Sequence, residues 1–119
     1  MNSKMKGNIA LGKCIEFGTS KNYIISLPLN DAQDYDLIFD IDGKLNKIQV
    51  KYTGSKQSSG KYYVDTRVRG HNNYIKENVE EVDYYFITTE SLEKYFIPYK
   101  IIKEKQTFTL NDTFKEYLV

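Results

Sequence analysis

Asp36, Gln49 and Lys51 are the residues whose types and spacing could do chemistry. They sit at the ends of "YDLIFDIDGKLNKIQVK" (35–51), which reads as a strand, a tight turn and a second strand. Side chains alternate across a strand, so Asp36, Ile38 and Asp40 share one face, while Leu37, Phe39 and Ile41 share the other. In the second strand Lys47, Gln49 and Lys51 share a face, with Ile48 and Val50 opposite. Asp42-Gly43 is a strong hairpin signal. A turn near Gly43 brings the polar sets together, so that an acid, an amide oxygen and a lysine converge at one end of a sheet. Hard oxygen ligands of this kind suit a magnesium-type cation. Such an ion polarises a phosphodiester and lowers the pKa of a bound water, and a neighbouring lysine can stabilise the developing charge. On spacing alone the same residues also read as ordinary strand ends, with Lys51 and Asp36 forming a surface pair worth under about 1 kcal/mol.

The surrounding elements must position these groups. Residues 6–17 carry Ile9, Ala10, Cys14 and Ile15 among polar neighbours, a moderate helical pattern. Gly12 reads as a point of close backbone approach and Gly18 as the helix stop. "YIISLPL" reads as a strand closed by Pro28, and "NDAQD" as a polar loop. After the hairpin, "GSKQSSG" reads as a flexible connection and "KYYVDTRV" as a strand. "RGHNNYIKENVEE" reads as a loop running into a short helix. "VDYYFITT" and "EKYFIPYKII" read as two further strands with a turn near 90–93, and the tail as a short strand and a final turn. One helix followed by a run of strands predicts an α+β chain, a mixed or mostly antiparallel central sheet with the helix on one face.

Composition narrows the function classes. At 119 residues the chain has length for one core, which predicts a single domain over 1–119. A net charge of +1 gives no overall basic signal, so any nucleic-acid surface must be local. Cys14 is the only cysteine and His71 the only histidine, which excludes a disulfide framework and a zinc cluster. A Cys/His catalytic pair would need these two single residues to meet. There is no long apolar run and no signal-peptide pattern, so the expectation is a cytoplasmic, reduced protein without a membrane partner. Eleven tyrosines suit both half-buried strands and wet interfaces.

With these residues in view, "DYDLIFDIDGKLNKIQVKYT" resembles the core of the PD-(D/E)XK nuclease superfamily, closest to the small branch of group I intron homing endonucleases whose second motif reads Q-x-K. The resemblance runs from about residue 6 to residue 102. It implies a restriction-endonuclease-like fold and a metal-dependent DNA endonuclease using magnesium, or manganese in its place, with no small-molecule cofactor. Carried over by residue, Asp36 matches the metal-binding acid, Gln49 the position usually held by Asp or Glu, and Lys51 the lysine, with the Val50 carbonyl as a further metal ligand. Gln49 ligates without bringing charge, so metal should bind weakly until substrate phosphate arrives. One departure stands out. The resemblance expects K-G-x-x-A-E on the first helix, whereas "KGNIAL" places Leu11 at the acid. Glu16 lies roughly 140° further round the helix, which leaves Asp34 and Asp40 as candidate substitutes. Alternatives are a weakened or inactive DNA-binding protein with the same fold, or a junction resolvase. Lys56, Lys61, Arg67, Arg69, His71 and Lys76 could line a groove for phosphates, with Asn72 and Asn73 reaching base edges. They read equally as a solvated face. Cutting both strands of double-stranded DNA with one site per chain implies a homodimer or homotetramer.

Overall fold

The structure, a computed structural model, describes residues 1–30, 33–66 and 82–119. A five-stranded sheet forms its centre. In chain order its strands are β1 (Ile24–Ser26), β2 (Leu37–Ile41), β3 (Lys44–Thr53), β5 (Tyr84–Thr89) and β6 (Lys94–Pro98), and they lie side by side in that sequence. All neighbours run antiparallel except β3 and β5, which are parallel, so the sheet is mixed as expected. Between β3 and β5 the chain lays down β4 (Tyr63–Asp65), which pairs with β7 (Thr107–Thr109) as a separate two-stranded sheet.

Helix α1 (Ser3–Ser20) packs on one face. Asn2 caps its start by accepting the Met5 N–H at 3.0 Å. The helix runs past Gly18 to Ser20 and is closed by Asn22, which takes φ +63°. There the Tyr23 N–H bonds the Gly18 carbonyl at 2.9 Å and the Asn22 N–H bonds that of Thr19 at 3.0 Å, a Schellman closure. The expected roles of the two glycines are therefore corrected. Gly12 is exposed, with no heavy atom within 4 Å of where a Cβ would sit. Gly18 is the close approach, because a Cβ there would meet the Phe39 ring at 2.5 and 2.8 Å. A glycine at this place lets Phe17, Phe39, Phe86 and Phe96 gather beneath the helix, with Phe17 5.0 Å from Phe96 between ring centres.

The opposite face carries Tyr85, Ile87, Tyr95 and Ile97, which pack with Tyr62 and Val64 near β4 and Phe108 on β7. Phe114 closes this second core from a 3-10 helix, Asp112–Tyr117, in the tail. The expected strand over 93–102 is shorter than its apolar run suggests. It stops at Pro98, which has no N–H for the ladder and sits on the sheet edge, and one turn of helix α2 (Tyr99–Ile102) follows. "GSKQSSG" is a built turn as well: the Gln57 N–H bonds the Lys61 carbonyl and Gly60 takes φ +84°. No helix among the described residues is long and apolar enough to cross a membrane.

The glycine assignments have opposite consequences for stability. Gly18→Ala is expected to cost about 1–3 kcal/mol through overpacking against Phe39. Gly12→Ala is expected to gain about 0.5–1 kcal/mol through helix propensity. Urea unfolding of the two variants beside wild type measures both, and equal effects at the two positions would contradict the packing described.

Candidate active site

The hairpin between β2 and β3 is the foundation of the site. Asp42 and Gly43 form its whole loop with φ +53° and +89°, the positive pair that a two-residue turn requires. β3 accordingly starts at Lys44, directly after the turn. Asp40 Oδ1 accepts the Gly43 N–H at 2.9 Å, which commits that acid to the turn, away from Asp36. The register pairs Leu37 with Ile48, and just beyond it the Asp36 N–H bonds the carbonyl oxygen of that same Ile48 at 2.8 Å, one residue off the ladder, while its side chain reaches Val50. Gln49 thus lies level with Asp36, one strand across.

At this point β2 ends and the geometry changes. The next ladder donor on β3, the Val50 N–H, is taken by the Asp36 side chain through Oδ2 at 2.7 Å. A residue of an antiparallel strand directs its N–H and C=O to the same neighbour, so the Val50 carbonyl projects into the same gap beyond Leu37. A carboxylate, a carbonyl and, one residue back, the Gln49 amide therefore address one region. Among the described residues no group of three His, Cys, Asp or Glu side chains could hold a metal ion. The donors here are one carboxylate with amide and backbone oxygens, a hard all-oxygen set that fits a magnesium-type cation.

Gln49 and Lys51 stand on the sheet face that carries Tyr85 and Ile87, their register partners on β5. Protein closes over the inner side of Asp36 and burial raises its pKa, although the Val50 N–H and the Lys51 ammonium pull the other way. Burial lowers the pKa of Lys51, opposed by Asp36 and by Asp65 of β4. The Tyr85 hydroxyl is pushed up, first by burial, then by Tyr99, Asp36, Asp34 and Asp65, and so stays a proton donor facing acids. Asp65 and Tyr85 are the members that the sequence reading missed. Asp65 was visible as an acid within the strand "KYYVDTRV", yet nothing local tied it to Lys51.

Other expected residues are distributed differently. Leu11 is half-buried against the helix-side core that holds Cys14 and Phe17, and Glu16 is exposed. Cys14 is fully buried and its thiol is pushed far up, by burial first and by Asp36 second, which leaves it inert as a nucleophile. Lys56 lies 5.0 Å over the Tyr62 ring, and Lys61 Nζ is 3.9 Å from Asp112 Oδ1. Both border a cavity of about 380 Å³ shared with Glu93 and Lys115, separate from the cavity beside Lys51. Arg67, Arg69, His71, Asn72, Asn73 and Lys76 lie outside the described residues.

A family profile described as PD-(D/E)XK endonuclease matches residues 1–115. Among solved structures, the bacterial homing endonuclease I-Ssp6803I is similar at 28% identity with a TM-score of 0.77, over 94% of this chain and 80% of that one. MepB aligns over 100% of this chain and 97% of its own at 15% identity, with a TM-score of 0.48. No curated protein matches the sequence.

The raised pKa of Asp36 predicts a pH dependence with a definite sign. Its contribution to folding is full below the ordinary carboxylate range and is lost as pH rises through the raised value. Metal-free Asp36→Asn, which cannot ionise, should therefore gain in stability relative to wild type as pH rises across that window. Urea midpoints of both proteins from acidic to neutral pH check this, and a difference that moves the other way contradicts it.

Proposed function

Because the chain belongs to the PD-(D/E)XK endonuclease family, we propose that it is a metal-dependent DNA endonuclease of the homing kind, a single nuclease domain over residues 1–119. The observation that carries this reading is the convergence of the Asp36 carboxylate, the Val50 backbone and the Q-x-K pair on β3 where β2 ends. The likeness to a homing endonuclease along nearly all of the chain supports it.

Asp36, the Gln49 amide oxygen and the Val50 carbonyl would hold a magnesium or manganese ion. When bound, that ion polarises the phosphodiester and acidifies a water. Lys51 orients the water and stabilises the negative charge that gathers on the phosphoryl oxygens as the water oxygen adds to phosphorus and the sugar oxygen leaves. Burial of Lys51 strengthens that effect, since a charge acts more strongly where water is excluded. Gln49 contributes an oxygen and no charge, so Asp36 is the only anion in the ligand set and the DNA phosphate supplies the rest. Lys56 and Lys61 would meet backbone phosphates away from the cut, and cleavage of both strands would call for a homodimer or homotetramer.

A second reading is favoured by one observation: Leu11, at the expected helix acid, packs half-buried against the core. It describes a protein that binds DNA and has lost its chemistry. The deciding experiment incubates wild type, Asp36→Ala and Lys51→Ala with a DNA library and magnesium. Each substitution should lower the cleavage rate by about a hundredfold or more. Wild-type cleavage no greater than that of both variants, with DNA binding retained in calcium, would establish the inactive reading instead. A further expectation concerns charge at the metal. The free protein should bind manganese weakly by calorimetry, cognate DNA should tighten it, and Gln49→Glu should tighten it without DNA. An affinity indifferent to both contradicts the proposed ligand set.

A further inference from the structure

The cavity beside Lys51 measures about 250 Å³ and is bordered on one side by β3, through Lys51, Tyr52 and Thr53, and on the other by β4, through Tyr63, Val64 and Asp65. β4 is held firmly in place. The Thr53 hydroxyl donates to the Tyr63 carbonyl at 2.6 Å, tying the two strands together. β4 pairs with β7, Asp65 opposite Thr107, and beyond it the Thr66 N–H and hydroxyl both bond the Gln106 carbonyl, at 2.8 and 3.0 Å. Asp65 thus presents a carboxylate from a second sheet on a backbone with little freedom.

Lys51 and Asp65 line this one cavity from its two walls, and the Asp36 and Asp65 carboxylates both act on the ammonium electrostatically. These anions differ in what metal binding does to them. A divalent cation on Asp36 cancels that carboxylate's attraction and adds a positive charge next to the ammonium. Gln49 is neutral, so the motif has no other charge to hold the lysine. Asp65 lies outside the ligand set and keeps its charge in the loaded state.

We propose that Asp65 is a positioning residue of the nuclease, holding the Lys51 ammonium at the reacting phosphate once metal has occupied Asp36. This rests on the function proposed above and assigns to β4 a role that the hairpin cannot perform by itself. What the second sheet supplies is a counter-charge for the lysine.

The test compares wild type, Asp65→Asn and Asp65→Glu, each first shown to be folded by circular dichroism. Single-turnover cleavage at saturating magnesium should fall on the order of tenfold to a hundredfold in Asp65→Asn, with DNA affinity in calcium within about twofold and most of the rate recovered in Asp65→Glu. A second readout needs no cleavage: carbon-13 relaxation at Lys51 Cε, with and without magnesium. In wild type the side chain should be ordered in both states. In Asp65→Asn it should be ordered without magnesium, held by Asp36, and mobile with it. A merely structural Asp65 would leave Lys51 the same in both states, and that result, or unchanged cleavage by Asp65→Asn, overturns the proposal. Asp36→Ala cleaving like wild type would overturn the nuclease reading itself, which keeps the two failures apart.

Discussion

The register of the β2–β3 hairpin is the constraint on which the rest of the molecule depends. Two consecutive residues with positive φ, Asp42 and Gly43, fix it, and every later pairing inherits it. A slip by one residue would turn Ile48 and Val50 out of the helix-side core and bring Gln49 and Lys51 into it. The buried cost of that exchange locks the register more firmly than the turn alone. The same apolar faces that seat α1 therefore also aim the polar residues, and packing and site geometry are two outcomes of one alignment.

The site is built against its own electrostatic preference. Burial favours a neutral carboxyl on Asp36 and a neutral amine on Lys51, and each opposes this in the other, helped at Asp36 by the Val50 N–H and at Lys51 by Asp65. Asp36 is exposed and Lys51 half-buried, so the pair's attraction is screened by water and adds little to folding. Its value lies in readiness. A hydrogen bond from Val50 fixes one carboxylate oxygen and leaves the other edge of Asp36 facing outward, so little reorganisation remains when an ion and a phosphate arrive.

What could be read from the sequence was whatever depends on neighbours along the chain. The Asp-Gly turn, the alternation of Leu37, Phe39 and Ile41, and the Q-x-K triplet are local, and they were enough to locate the motif. The glycines were misread because a glycine's purpose is set by what approaches it. Phe39 lies over Gly18, while nothing lies over Gly12, and no helical pattern encodes that. The apolar run ending in "PYKII" hid a strand end, since Pro98 breaks the ladder without breaking the hydrophobicity. Asp65 and Tyr85 were out of reach for a different reason. Each meets the motif only through a parallel strand or a second sheet, and those pairings join distant parts of the chain.

That topology also sets an order of assembly. A hairpin closed by two residues forms in about 1–10 μs, so Asp36, Gln49 and Lys51 meet early in folding. The parallel alignment of β3 with β5 waits for the whole crossover to close, and β4 waits longer still, for β7 near the end of the chain. Non-local pairings of this kind are the slow ones. A nascent chain on the ribosome thus carries the motif, complete and correctly spaced, well before it carries the sheet that faces Lys51, which closes only once β7 has emerged.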